Sequence, residues 1–582
     1  MTHEPSRNVG GEEESADRIE CDVLVVGSGA GGLLAAARAH DLGLQVCVIE
    51  KADRYGGTSA VSGGAIWIPN NAGLGETDSP EEALDYLRAC TGGAVADDKL
   101  EAYIGDGPTV VRYLKELGVE YYSAPYPDYR QHLSGSMVGG RTMFVRPVDG
   151  KQLGKDFFYE RESAVGMKLF GRIAVDSSEA IPIVTRARGR WLLLARIISR
   201  YWLDIRWRLL TRRDRRVTGG GALIAGLRAA LRKRKIPLLL GTRLTQLGRT
   251  GERVDSAVVM KNGVESSIHV RQAIVLASGG FEHNQSLRKE HLPAPTSSSW
   301  SVTPVGANTG DALLASTAIG ADVEFLGEAW WAPTIRLPAR TLPNVDSRFA
   351  LFMERQYPHG ICVNRLGERF TNEGLSYNDF VQAMLADNEA TGANSPCWLV
   401  FDARFRRRYA LGGLLPGLVE PDAKLPAEWW DNVLYRAETL GELASKIKLP
   451  AETLQRTISR FNGFAATGID EDFGRGSSAY DRRFADPRCK PNPGLGALEE
   501  SPFYAIRLDA GDIGTKGGAK IDAHARVVST SGTPIPGLYA VGNCSGAVTG
   551  SAYPGAGATL GSAVIFAYRA AAHIAIGRTG AE

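Results

Sequence analysis

The sequence predicts an α/β fold: a parallel sheet covered by helices, discontinuous along the chain, with an α+β domain inserted into it. Two observations carry that expectation. The first is a βαβ unit near the start. Asp22–Val26 and Gln45–Ile49 are short apolar runs of the kind buried in a parallel sheet. Between them lie Gly27-Ser-Gly-Ala-Gly-Gly32 and the helical stretch Leu33–Leu42, which complete a unit of about thirty residues. The second is that matching strands recur far downstream, at Pro237–Leu240, Ala273–Ala277 and Gly537–Val541, before a closing helix over Gly557–Ile574. The sheet therefore opens the chain, is interrupted and is resumed at the end. This divides the chain into a disordered lead (1–17), a first part of the sheet domain (18–334), an inserted catalytic domain (335–505) and a second part of the sheet domain (506–582). The inserted domain carries amphipathic helices such as Glu452–Gly463.

Composition suits a soluble globular protein, with 44% hydrophobic and 23% charged residues in 582. A formal charge of +2 gives no reason to expect a nucleic-acid partner. The seven cysteines are scattered, with no CxxC pair. That argues against a metal centre or a disulfide framework, and suits buried thiols in a cytoplasm. The polar N-terminus lacks the apolar core of a signal peptide. No stretch reads as the ~18 uncharged apolar residues of a membrane span.

The glycine-rich turn defines the first candidate site and makes the sheet a Rossmann-type FAD-binding domain. Gly27 permits the tight turn, Gly29 lets backbone approach a pyrophosphate, and Gly32 allows close helix–strand packing. Ser28, Ala30 and Gly31 complete the loop that presents helix N–H groups to phosphate. Glu50, at the end of the second strand, is placed to accept from a ribose diol. Lys51 follows it, and then a stretch rich in Gly, Ser and Thr that includes Gly57, Thr58, Ser59, Ser62, Gly63 and Gly64. Such a stretch can run alongside a cofactor with its amides and hydroxyls facing it, and it favours FAD over NAD. Distant pieces join the set: Leu244, Ala277 and Gly279, Asp311 of the Asn308-Thr-Gly-Asp311 turn, Gly542 and Asn543, and Thr559 with Leu560.

Together these pieces resemble the fumarate reductase/succinate dehydrogenase flavoprotein superfamily. Within it the chain is most similar to the 3-ketosteroid Δ1-dehydrogenases. The resemblance rests on Thr58–Gly64, Tyr126-Pro-Asp-Tyr129, Phe370–Tyr377, Gly511-Asp-Ile-Gly-Thr-Lys-Gly-Gly518 and Ser551-Ala-Tyr-Pro-Gly-Ala-Gly-Ala-Thr-Leu-Gly561. Gly555-Ala-Gly557 departs from the Gly-Pro-Gly expected of many relatives but keeps Gly557.

The resemblance implies non-covalent FAD, a steroid substrate and an external electron acceptor, a quinone or similar. It also implies 1,2-dehydrogenation of a 3-keto-4-ene steroid to the 1,4-diene. The C2 hydrogen is acidic only because the ketone can become an enolate, and the C1 hydrogen must leave as hydride. Donors are needed where charge develops on the C3 oxygen, with a base near C2. By resemblance the Tyr553 hydroxyl and the Gly557 N–H are those donors, Tyr377 is the base and Tyr129 assists it. A Δ4-(5α)-ketosteroid dehydrogenase or a fumarate-type reductase is the alternative. The tyrosine set argues against it, and Arg365, Arg369 and Arg407 read as scattered surface arginines rather than a dicarboxylate site.

Residues 186–216 read RARGRWLLLARIISRYWLDIRWRLLTRRDRR. Arginines interrupt every apolar run, so the segment cannot span a bilayer, but a basic, Trp-containing amphipathic segment can lie in its interface. The expectation is a cytoplasmic protein in peripheral contact with the inner face of the membrane.

Overall fold

The computed structural model describes residues 19–74, 77–163, 168–184, 188–338 and 348–579. The lead expected over 1–17, and the start of the basic segment, lie outside these residues.

Two sheets organise the chain. In the first, β1 (Ile19–Val26) pairs in parallel with β2 (Val46–Ile49) on one side and with the long strand Val264–Leu276 on the other. Leu238–Leu239 adds in parallel beyond β2, and Pro534–Ala540 adds in parallel to Ile274–Leu276. Strands Thr242–Thr250 and Arg253–Lys261 extend the sheet by antiparallel pairing. β2 is buried throughout, as a Val/Ile-rich run covered on both faces must be.

The crossover helix α1 spans Ala30–Asp41, starting three residues before the sequence suggested. Gly31 and Gly32 fall in its first turn, where intrinsic preference disfavours them. Packing overrides that preference. A Cβ on Gly32 would stand 2.1 Å from the Gly27 carbonyl oxygen, and one on Gly31 would stand 3.1 Å from that of Ala563. Ala563 belongs to the terminal helix Ala558–Thr579, which lies against α1.

That terminal helix has membrane-spanning length, although Arg569 keeps it from being an uncharged run. Ala558–Gly577 is long and apolar enough to cross a membrane. Half of it is buried inside the protein, and Arg569 pairs with Asp106 at 2.5 Å. A helix enclosed by its own domain is apolar on most sides for the same reason a membrane helix is.

The second sheet is antiparallel and centres on Phe503–Thr515. One edge of that strand pairs with Cys397–Phe401, the other with Leu434–Ala437 and then Ala329–Arg336. The divisions expected at 335 and 506 thus fall inside strands, because the interdomain chain is itself sheet. Arg369 is not on the surface: it is buried against Glu373 and Asp470, at 2.8 Å each. Arg407 pairs with Glu500, and Arg365 donates to the carbonyls of Gly392 and Ala393.

The basic segment forms two helices, Arg190–Leu203 and Ile205–Leu210, broken at Asp204. Ile197, Tyr201 and Trp207 face inward. Trp191, Leu192, Trp202, Leu203, Ile205, Leu209 and Leu210 are each at least 60% exposed. Arg200, Arg213, Arg215 and Arg216 pair with acids of the body of the protein.

Candidate active site

The glycine loop sits where β1 passes into α1. Gly27 has φ +112° and donates to Ile49 O at 2.8 Å; a Cβ there would collide with Ala277 O at 2.3 Å. Gly29 differs, since a Cβ would meet only Ser59 Oγ at 3.4 Å. Two glycines are therefore closed by protein, and one leaves room for a ligand beside the first-turn amides, which lack partners within the helix. Ser59 Oγ takes the Ala30 N–H at 3.1 Å. Glu50 is oriented by the Ser28 N–H (3.1 Å), the Ser28 hydroxyl (2.6 Å) and the Ala52 N–H (2.9 Å). Both Ser28 bonds fall on Oε2, so it is Oε1, which accepts only from Ala52, that keeps accepting capacity for a diol. This donor set and the cradle at Gly29 fit the ribose and pyrophosphate of FAD.

The other expected cofactor residues gather around this loop. Gly57 opens the short helix Gly57–Val61. The Thr58 hydroxyl accepts from Asn308 (2.8 Å), and Ser62 caps the Gly64 N–H (3.1 Å). Gly63 lies exposed between them. Ala277 bonds Val26 O at 2.8 Å. Gly279, at φ +83°, accepts from the Cys544 thiol, and Gly542, at φ +66°, precedes Asn543. Lys51 and Asp311 are joined as an ion pair at 3.0 Å, and Arg243 also meets Asp311 at 2.7 Å. Burial works against the Asp311 carboxylate, but Lys51 and its hydrogen bonds hold its pKa below the ordinary value. Leu244 is buried in the strand next to Arg243.

The second cluster lies at the junction of the two sheets. Tyr377 is the first residue of helix Tyr377–Thr391, whose N-cap Ser376 accepts from the Asp379 N–H at 3.1 Å. Tyr129 lies in a loop and donates its backbone N–H to Pro554 O at 2.9 Å. Tyr553 and Gly557 lie just before the terminal helix. The rings of Tyr129, Tyr377 and Tyr553 are mutual edge-on neighbours, 5.2–5.6 Å apart, although their positions span more than 400 residues of chain. Tyr129 Oη donates to Tyr377 Oη at 3.2 Å, and Thr559 Oγ1 donates to Tyr553 Oη at 3.3 Å. Leu560 packs against the core beside it.

All three tyrosines are buried. Burial pushes the Tyr377 hydroxyl well above the ordinary tyrosine pKa, and Tyr553 adds to that; the hydrogen bond from Tyr129 works in the opposite direction. Burial also raises Tyr553, opposed by Thr559, Tyr377 and the Gly557 N–H. Next to Tyr129, Asp128 accepts from Trp67 Nε1 (2.7 Å) and Arg141 (2.9 Å), and Arg141 also grips Asp78 (2.6 Å). Burial outweighs those partners and pushes Asp128 up to about 6.

The aromatic wall extends to residues that sequence reasoning did not single out. Trp330 packs 4.8 Å from Tyr553, Tyr480 4.9 Å from Tyr129 and Phe352 4.9 Å from Tyr377. Lys516, which lies within the Gly511–Gly518 motif, reaches this wall too, 4.6 Å from the centre of the Trp330 ring.

A family model described as an FAD binding domain matches residues 22–560. The 3-oxosteroid 1-dehydrogenase of Mycolicibacterium smegmatis is 39% identical over 96% of this chain and 97% of its own length. A 3-ketosteroid Δ1-dehydrogenase of Sterolibacterium denitrificans, solved in complex with 1,4-androstadiene-3,17-dione, superposes with a TM-score of 0.92. It is 45% identical over 96% of this chain and all of that one. This chain belongs to the 3-ketosteroid Δ1-dehydrogenase family. The 4-oxocyclohexanecarboxylate 2-dehydrogenase of Sinomonas cyclohexanicum is also similar, 38% identical over 96% of this chain and 93% of its own. As a member of this family of FAD-binding oxidoreductases, the protein is an FAD-dependent dehydrogenase.

Proposed function

We infer that the protein inserts the 1,2 double bond of 3-keto-4-ene steroids, giving 1,4-dienes. The observation that carries this is the convergence of three tyrosine hydroxyls and the Gly557 N–H in one buried spot. The steroid named with the Sterolibacterium relative, a 1,4-diene-3-one, has the structure of the product. Tyr553 and the Gly557 N–H donate to the C3 oxygen as it gains charge, stabilising the enolate. Tyr377 takes the C2 proton. Tyr129, already donating to Tyr377 Oη, stabilises the phenolate form that accepts it. FAD, when bound, supplies the acceptor for the hydride lost from C1.

A small keto-carboxylate is the competing substrate, and it would need a cation for its carboxylate. Three cations near the tyrosines are engaged within the protein: Arg130 binds Asp379, Arg355 binds backbone carbonyls of 373 and 375, and Lys516 binds those of 551 and 552. This favours the steroid. The test is anaerobic mixing with 4-androstene-3,17-dione, a 3-hydroxysteroid and 4-oxocyclohexanecarboxylate while flavin absorbance is followed. Bleaching is expected with the ketosteroid alone. Bleaching by the carboxylate and not the steroid overturns the assignment.

The protein's place in the cell is inferred as the cytoplasm, with helices Arg190–Leu203 and Ile205–Leu210 resting on the inner membrane face. The exposed Trp191, Trp202, Leu203 and Leu209, flanked by exposed Arg196 and Arg206, support this reading. A membrane quinone would then be a suitable electron acceptor. Cosedimentation with anionic liposomes tests the contact, using wild type and the variant Trp191→Ser/Trp202→Ser/Leu209→Ser. Equal binding by both, or none by either, refutes it.

A further inference from the structure

Three tyrosines that meet from distant stretches must be held in register, because an error of about 1 Å at a reacting centre costs about 10²-fold in rate. The helix that starts at Tyr377 does part of this. Its Asp379 pairs with Arg130, next to Tyr129, at 2.9 Å, and its Gln382 Nε2 donates to Ser551 O at 3.1 Å, two residues before Tyr553.

Lys516 meets the same loop from the other side. Its Nζ donates to Ser551 O at 2.5 Å and to Ala552 O at 2.9 Å, the two carbonyls that precede Tyr553. It also lies 4.6 Å from the centre of the Trp330 ring, which packs on Tyr553 and donates from Nε1 to Asn543 at 3.0 Å. Lys516 is fully buried, and among the described residues no carboxylate forms an ion pair with it. Burial pushes its pKa down to about 7, partly opposed by Glu328 and Asp379. A methionine would fill this space without that desolvation cost, so packing alone does not account for an ammonium here.

We propose that Lys516 is a positioning residue for the dehydrogenation: it grips the Ser551 and Ala552 carbonyls, backs Trp330, and so fixes the Tyr553 hydroxyl where the C3 oxygen needs its donor. Gln382 ties that grip to the Tyr377 helix. The proposal rests on the role given to Tyr553 above.

A double-mutant cycle on the full-length holoenzyme tests it. Lys516→Met, Tyr553→Phe and the double variant are compared for flavin content, melting temperature, kcat and KM with 4-androstene-3,17-dione. Binding of estrone, whose phenolic A ring carries an oxygen at C3, is measured alongside. Lys516→Met is expected to lower kcat by about 10²-fold with KM within a few-fold, to weaken estrone, and to retain flavin. In the Tyr553→Phe background the same change is expected to cost little more, because its effect passes through the lost hydroxyl. Equal losses in both backgrounds overturn the proposal and reduce Lys516 to a structural residue. If Lys516→Met does not retain flavin, Gln382→Met carries the same cycle, with the same additive result counting against the proposal. If Tyr553→Phe alone leaves kcat unchanged, the underlying reading of Tyr553 fails instead.

Discussion

Gly557→Ala isolates the backbone half of the C3-oxygen donor pair. Gly557 has φ +100°, a conformation in which alanine is strained. An added Cβ would stand 2.6 Å from Ala65 C and Ile66 N and 2.7 Å from Ala65 O. Restoring an ordinary separation of about 3.5 Å requires the loop to move by about 0.9 Å. A donor aimed at about 2.9 Å would then lie near 3.8 Å, beyond hydrogen-bonding range. Losing one preorganised oxyanion donor costs about 2.7–4 kcal/mol, or about 10²–10³ in rate. The assay is the single-turnover rate of flavin reduction by 4-androstene-3,17-dione, with flavin content measured by absorbance. Gly463→Ala is the control: nothing lies within 4 Å of a Cβ there. In the interior of helix Ala451–Thr467 it is expected to keep full activity and gain about 0.5–1 kcal/mol of stability. A Gly557→Ala enzyme that keeps its flavin and reduces it within threefold of the wild-type rate would refute the donor assignment.

Tyr377→Phe is expected to lower kcat by orders of magnitude with FAD still bound; near wild-type turnover rules out its role as base. Tyr129→Phe removes the hydrogen bond that counteracts burial at Tyr377. The Tyr377 pKa should rise, less phenolate should be present at a given pH, and the rising limb of kcat/KM should move to higher pH. An unmoved limb contradicts the assignment. Arg141→Met strands the buried Asp78 and Asp128 carboxylates and should destabilise the fold by about 3–5 kcal/mol in denaturant titrations, with the smallest loss at acid pH. Acid precipitation should leave FAD in the supernatant, as expected of a cofactor held without a covalent bond; yellow pellets would contradict that expectation.

The nucleotide-binding half of the fold was legible in the chain because its signals are local. Apolar strands at 22–26, 45–49, 273–277 and 537–541, and glycines at 27, 29 and 32, each reflect a short-range steric or burial demand. The boundaries were less legible. α1 begins inside a glycine run because Gly31 and Gly32 answer to Ala563 and the Gly27 carbonyl, which are contacts with other parts of the structure. The terminal helix was legible as a helix, but Arg569 and His573 interrupt its apolar run and its burial depends on neighbours.

The three candidate tyrosines follow from motif resemblance, not from anything their immediate neighbours require. Residue types and glycine spacing along the sequence determined that a dinucleotide-binding fold would form. Tertiary structure alone decided that Tyr129, Tyr377 and Tyr553 meet, that Arg369 is buried against acids, and that Lys516 reaches the loop before Tyr553. Apart from Arg369–Glu373, those contacts join groups tens to hundreds of residues apart. They therefore depend on how sheets and helices pack, which local propensity does not encode.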